Sequence, residues 1–161
     1  MSRRIRPQPP GAKSRGTANL NYEHAHTSWR AERRSALGLD AEALRDLADH
    51  CECAPAEGQA HVLRRVLRLL SPWCERAAEG DWSGRQARIE MMLEAGAHES
   101  AVIQLFPAGT VYTGGSLADG SCIGQVLVTP GQGAHSRKAA TLANAWLAAL
   151  LRSLARVIEE R

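Results

Sequence analysis

Lysine and aromatic residues are scarce in this chain of 161 residues. There are two lysines against 18 arginines, and aromatic side chains make up 4% of the chain, as four Trp, two Tyr and one Phe. With so few large rings, most of them are expected to be needed in the core. No apolar run approaches the ~20 residues of a membrane-spanning helix, so no membrane association is expected. The apolar fraction of 44% and the charged fraction of 23% are typical of a globular protein.

Cysteine is also sparse, with four residues, and the basic N-terminus is not followed by the apolar stretch of a secretion signal. We therefore expect reduced thiols in a cytoplasm. The nearest approach to a metal site is the run of His50, Cys51 and Cys53. Paired zinc-binding cysteines are usually roughly two to four residues apart. The one-residue spacing here favours a small buried cysteine at a helix end, with no metal or other cofactor.

The net charge of +3 hides an uneven distribution along the chain. Residues 1–38 hold eight basic and two acidic side chains, residues 39–100 hold seven and twelve, and residues 101–161 hold five and three. Residues 1–20 combine basic side chains with Pro and Gly and have almost nothing large to bury, which predicts a flexible basic arm. Such a dipolar layout favours a protein that meets a partner through more than one surface.

Hydrophobic periodicity predicts an α+β fold: a helical N-terminal half, then a three-stranded antiparallel sheet packed by flanking helices, the last one long. We divide the chain into the arm (1–20), a helical region (21–82) and an α-β-β-β-α domain (83–161). Short connections between the strands favour antiparallel pairing. The predicted helices cover 27–38, a segment capped by Asp40, 61–70 with a break at Ser71-Pro72, 73–79, a segment capped by Ser83, and 136–160, and the predicted strands cover 101–106, 110–113 and 121–129.

No set of residues forms a catalytic constellation. Ser121-Cys122 lies inside an expected strand, whereas a reactive cysteine needs an exposed, electropositive setting. The Gly-x-Ser-x-Gly motif of a serine nucleophile is absent, and no acid and base stand out as a pair. An enzyme is therefore not expected.

A glycine-containing loop that leads into the predicted last helix, residues 131–138, has the most chemical content. Free backbone N–H groups and the helix dipole at a helix start favour an anion, and two basic side chains add charge. The loop thus predicts a site for phosphate, a nucleotide or another small anion, and the alternative is a plain helix start with a serine cap and two solvated basic residues. The candidate residues are Gly131, Gly133, Ser136, Arg137 and Lys138.

Two family resemblances involve this last third of the chain. Ser136-Arg137-Lys138, within a helix–three strands–helix order, resembles the end of a double-stranded RNA-binding domain, which implies phosphate contacts by Arg137 and Lys138. The segment with Gly114-Gly115 and the Ala/Leu-rich helix after Ala140 is similar to the small helix–sheet–helix (ABA sandwich-like) domain of phage accessory proteins. That second resemblance implies a viral or mobile-element context and carries no catalytic motif.

The helical region offers a candidate surface for a protein partner. Arg64, Arg65 and Arg68 are expected to share one exposed face, with Trp73 nearby, and Arg and Trp are enriched at binding hot spots. The alternative is that the tryptophans pack the helices together and the arginines are solvated. We expect a non-enzymatic, cytoplasmic binding protein of phage or mobile-element type that occupies a host protein or complex. Nucleic-acid binding and capture of a small anion at residues 131–138 are the alternatives, and homo-oligomer formation is left open.

Overall fold

The structure, a computed structural model, describes residues 40–77, 81–129 and 132–159. The predicted α+β class is confirmed, because helices come first, an antiparallel three-stranded sheet follows and a long helix ends the fold. The predicted arm and the predicted helix at 27–38 lie outside the described residues. The elements in chain order are α1 (Ala41–Cys53), a 3₁₀ helix (Ala56–Gly58), α2 (Gln59–Ala77), α3 (Trp82–Glu94), α4 (His98–Ile103), β1 (Val111–Ser116), β2 (Cys122–Thr129), β3 (Gln132–His135) and α5 (Leu142–Glu159).

Helix α1 begins where the sequence predicts. Asp40 has extended backbone angles, and its Oδ1 accepts the N–H of Glu42 at 3.3 Å, so the predicted cap is confirmed. Leu44, Leu47 and Cys51 recur at helical spacing and are buried. This apolar stripe turns one side of α1 towards the core.

Helix α2 continues through Pro72 to Ala77, so the predicted break at Ser71-Pro72 and the separate helix at 73–79 are wrong. Proline removes one backbone hydrogen bond and crowds the preceding turn. Trp73 and Cys74 are nevertheless 3% and 6% exposed, and they follow the fully buried Leu70 by three and four residues. Burial of this last turn offsets the missing hydrogen bond.

Two other predicted elements change in the middle of the chain. Helix α3 begins at Trp82 and is capped by Asp81, whose Oδ1 accepts the N–H of Gly84 at 2.8 Å, so Ser83 is not the cap. The predicted strand at 101–106 is wrong, because the chain there forms α4 and a turn. Val102 and Phe106, four residues apart, are both buried, as in one turn of helix. A short apolar run fits a buried strand and a buried helix equally well.

The sheet is an antiparallel meander in the order β1-β2-β3. The register places Thr113 opposite Gln125 and Val126 opposite Ala134. The predicted strands at 110–113 and 121–129 are confirmed in position, and β1 continues past the first of them to Ser116. Within the segment predicted to be a loop leading into the last helix, Gln132–His135 form β3 instead, and that helix begins at Leu142 and not at Ser136. A strand of four residues containing a glycine has no alternating apolar pattern, and its pairing with β2 defines it.

Helix α5 packs closely on one face of the sheet. A Cβ added at Gly124 would lie 2.8 Å from Cδ1 of Trp146 and 3.1 Å from the backbone of Ala145, so only glycine permits this approach. The Nε1–H of Trp146 donates to the carbonyl of Thr113 at 2.9 Å. One buried cluster contains residues of all five helices and of β2, so the described helices before and after residue 82 share a core. No helix in the described ranges is both long and apolar enough to cross a membrane.

Candidate functional site

A groove of about 740 Å³ lies between α1 and α2. Helix α1 contributes four residues at spacings of three, four and seven, which place them on one side of the helix. Helix α2 contributes three residues from two successive turns. The lining residues are Ala43, Asp46, Leu47, His50, Arg65, Arg68 and Leu69.

The groove combines an apolar base with charged side chains. Leu47 is buried and Leu69 is half-buried, whereas Asp46, Arg65 and Arg68 are exposed. Within the part of the chain that the structure describes, neither Arg65 nor Arg68 forms an ion pair. Two guanidinium groups are therefore available next to apolar surface.

The arginines predicted to share one exposed face do not all line this groove. Arg64 is half-buried and its Nε donates to Oε2 of Glu90 on α3 at 3.0 Å, so it connects two helices. Only Arg65 and Arg68 line the groove. Trp73 is 3% exposed and belongs to the core, which takes it out of the predicted partner-binding surface. Its ring packs the end of α2 into the core, as in the alternative interpretation that the tryptophans pack the helices together.

The segment predicted to bind an anion is not a helix N-terminus, because α5 begins four residues after Lys138. Gly131 lies outside the described residues. The carbonyl of Gly133 accepts Nη1–H of Arg156. Ser136 bonds to Gly124 on β2 through both its backbone N–H, at 2.8 Å, and its Oγ, which accepts the Gly124 N–H at 2.7 Å. The helix dipole therefore does not favour an anion at this segment.

The two basic side chains of that segment already have carboxylate partners. Arg137 Nη1 lies 3.6 Å from Oδ2 of Asp49, and Lys138 Nζ contacts Oδ2 of Asp119. Both side chains remain largely exposed, at 74% and 64%. An anion at this site would compete with these carboxylates, so the structure adds nothing to the phosphate-binding prediction.

The strongest charge cluster in the described residues connects α1 to α5. The Glu52 side chain is 5% exposed, and its carboxylate accepts hydrogen bonds from both terminal nitrogens of Arg152 and from the backbone N–H of Arg137. Asp49 accepts a further bond from Arg152. The bond to Glu52 is the main cause that raises the pKa of Arg152. We call Asp49, Glu52, Arg137 and Arg152 the helix latch.

Sequence reasoning missed the helix latch because Glu52 and Arg152 are 100 residues apart. One local signal was present. Arg152 follows Leu151 and precedes Leu154 on a helix whose residues are otherwise mainly apolar. A charged residue in such a stripe needs a buried counter-charge.

The three residues considered for metal binding point in different directions. Cys51 is fully buried, Cys53 is exposed and His50 lines the groove, because neighbours one or two positions apart on a helix do not face each other. Burial, followed by the charge of Glu52, raises the pKa of Cys51 to about 12. Among the described residues no three His, Cys, Asp or Glu side chains come together as a metal site would require.

No family model, no curated protein and no solved structure matches this chain. The two resemblances named in the sequence analysis remain untested.

Proposed function

We propose that this chain is a non-enzymatic protein-binding protein that occupies a partner protein through the α1–α2 groove. The observation that carries the proposal is the pair Arg65 and Arg68, which form no ion pair with any described residue and lie beside the apolar Leu47 and Leu69. Arginine is favoured at protein interfaces because its planar group binds carboxylates in two-pronged geometry. The partner segment is an amphipathic one that carries carboxylates next to apolar side chains.

Charge in and around the groove favours a protein partner over a nucleic acid. Asp46 lines the same groove as the two arginines, and residues 39–100 hold twelve acidic against seven basic side chains. A row of phosphates along the groove would meet these like charges. A protein segment can place carboxylates at Arg65 and Arg68 and a neutral or basic side chain at Asp46.

More specifically, the chain is a phage or mobile-element product, and its partner is a host protein in the cytoplasm. The resemblance to phage accessory proteins supports the context. All four cysteines are free thiols, which supports a reducing compartment.

The test compares the full chain with two charge-reversal variants. Arg65→Glu with Arg68→Glu reverses the groove, and Arg88→Glu reverses an exposed arginine of α3 that also has no ion pair among the described residues. Tagged proteins are recovered from the cells that naturally make the chain, after nuclease treatment. We expect one protein to be retained by the parent and by Arg88→Glu and lost with the double variant. Equal recovery with all three, or retention of nucleic acid alone, overturns the proposal.

A direct measurement uses a synthetic probe. The probe is an amphipathic helical peptide with a leucine stripe and two glutamates three residues apart. Its binding to the parent protein is measured by fluorescence anisotropy, and we expect it to bind. We expect the double variant to weaken binding at least about tenfold, since each charge-assisted hydrogen bond adds roughly 1.5 kcal/mol. The same peptide with glutamines in place of the glutamates is the control, and equal binding of both peptides contradicts a role for the arginines.

A further inference from the structure

The two edges of the sheet are treated differently by the rest of the fold. Gly124 on β2 bonds through both its N–H and its carbonyl to Ser136, beyond the end of β3. Backbone groups alternate in direction along an antiparallel strand. Ile123 and Gln125 therefore point their backbone groups towards β1. In β1, Thr113 bonds to β2, and the N–H and carbonyl groups of Tyr112, Gly114 and Ser116 point away from the sheet.

The β3 edge is closed by side chains of α5. By the same alternation, Gly133 and His135 turn their carbonyls outward on this edge. The carbonyl of Gly133 accepts a hydrogen bond from Arg156, and that of His135 accepts one from Arg152 at 3.3 Å. Charged side chains of this kind are a common protection of an edge strand against further pairing.

The β1 edge has no such protection in the described part of the chain. No described group outside the sheet bonds to the outward backbone groups of Tyr112, Gly114 or Ser116. The strand contains no charged residue, no proline and no register shift against β2. Four large apolar side chains of the described residues are exposed, and three of them lie on β1 or the adjacent β2: Val111 at 63%, Tyr112 at 40% and Ile123 at 41%.

We propose that the β1 edge pairs with the β1 edge of a second copy of this chain, antiparallel, about a two-fold axis at Thr113. This register places Tyr112 of each copy opposite Gly114 of the other, and Val111 opposite Gly115. Val111 then covers Gly115 across the new pair, and a Cβ at Gly115 would find no atom within 4 Å, so this position has room. Because β1 is neutral, self-pairing brings no like charges together.

This surface is separate from the groove residues, and the dimer does not depend on the proposed function. A single short strand pair buries little area, so a weak dimer is expected, with dissociation in roughly the micromolar range. The full chain should sediment as a monomer at the lowest concentrations and as a dimer at about 100 μM.

Two lysine substitutions on the same outer face of the sheet test the register. Thr113→Lys places two like charges at the two-fold axis and should remove the dimer, whereas Gln125→Lys, opposite Thr113 on the inner strand, should leave it. Hydrogen exchange of the Tyr112 and Gly114 amides, which this register pairs with each other across the axis, should slow as protein concentration rises, and only in proteins that dimerise. The Arg65→Glu with Arg68→Glu variant should dimerise normally, so failure of the groove proposal and failure of this one are distinguishable.

Several outcomes would overturn the dimer. A monomer at every concentration does so, as does a dimer that survives Thr113→Lys or forms while the Tyr112 and Gly114 amides exchange freely. Protection of these amides that does not depend on concentration would show that another segment of the same chain covers the edge. Loss of a different captured protein with Thr113→Lys, without self-association of the parent, would assign the edge to a foreign strand.

Discussion

Helix α1 has charged residues on two sides, and the two sides use charge in opposite ways. On one side Glu52 is nearly buried and its carboxylate is bonded by Arg152 and by the backbone of Arg137. On the other side the exposed Asp46 faces a groove lined by Arg65 and Arg68, which have no ion pairs among the described residues. Arginines that hold a fold together are paired and partly buried. Arginines left without partners beside apolar surface are available for binding.

The largest expected contrast is between the two cysteines of α1. Cys51 is fully buried with a pKa near 12, raised from 9.0 mainly by burial, and Cys53 is exposed. Because the thiolate is the reactive form, the raised pKa of Cys51 and its burial together make it much less reactive than an exposed thiol. Titration of the native protein with a disulfide reagent should show one fast thiol.

Cys53→Ser is the control for that titration and should abolish the fast phase, whereas a fast phase that persists would contradict the burial of Cys51. The same pKa has a consequence for stability. Between pH 9.0 and about 12 the unfolded chain loses the Cys51 proton and the folded chain keeps it. Stability from this group therefore falls as the pH rises through that window.

Breaking the helix latch should cause the largest loss of stability. Arg152→Ala leaves the Glu52 carboxylate buried without its counter-charge, which should lower the free energy of unfolding by about 3 kcal/mol in urea denaturation. Arg65→Ala with Arg68→Ala, which removes two exposed guanidinium groups from the groove, should change it by less than about 0.5 kcal/mol. Similar losses in both proteins would show that the two sides of α1 do not differ in this way.

The replacement of both latch partners separates lost pairing from lost packing. Glu52→Gln with Arg152→Met removes both charges and retains much of the volume. We expect this double variant to recover most of the stability lost in Arg152→Ala, because no buried charge is left alone. A double variant as unstable as the single one would mean that packing of the arginine stem is the main contribution.

Arg156 provides a smaller test of a paired arginine. It is exposed and caps the carbonyl of Gly133 on the β3 edge. Arg156→Ala should cost about 1 kcal/mol, the usual net contribution of a hydrogen bond, and should speed exchange near β3. Arg156→Lys keeps a donor and should recover part of the lost stability. If neither variant changes stability or exchange near β3, Arg156 does not protect this edge.

The smallest effect is expected at the exposed pair of Asp119 and Lys138. Hydrogen bonds from Lys138 and then from Ser121 hold the pKa of Asp119 well below its usual 3.8. The stability this carboxylate adds is therefore present above pH 3.8 and is lost as the pH falls further, towards the folded pKa. Asp119→Asn should weaken the loss of stability below pH 3.8 in low salt, and ~1 M salt should reduce the difference between the two proteins, because salt screens the charge of Lys138. Asp46→Asn, with no ion pair in the described chain, is the control.

Much of the fold follows from local sequence signals. The cap at Asp40 and the long last helix depend on residues within a few positions of each other, and the structure confirms both, although that helix begins at Leu142. The failures occur where packing decides between local alternatives. Trp73 is buried beyond Pro72 and keeps α2 helical, and the apolar run at 101–106 fits a helix as well as a strand.

The sequence predicted part of the candidate site, because only part of it depends on residues that are close together in the chain. Sequence reasoning named Arg65 and Arg68, together with Arg64 and Trp73, as a binding surface because their spacing is a local pattern and Arg and Trp are enriched at binding hot spots. It could not name Ala43, Asp46 or Leu47 as the opposite wall, since that depends on how α1 packs against α2. It also assigned Arg137 and Lys138 to an anion. Their carboxylate partners Asp49 and Asp119 lie far from them along the chain, so a local pattern does not reveal these pairs.

By itself the sequence determined the α+β class, the helix-then-sheet order and the uneven charge, because periodicity and composition are properties of short segments. Only the tertiary structure decided which charged side chains are paired within the fold. It placed Glu52 beside Arg152 and covered the β3 edge with arginines. Among the described residues it gave the β1 edge and the two groove arginines no partner. Electrostatic and hydrogen-bond pairing act through space over a few ångströms, and separation along the chain does not reveal them.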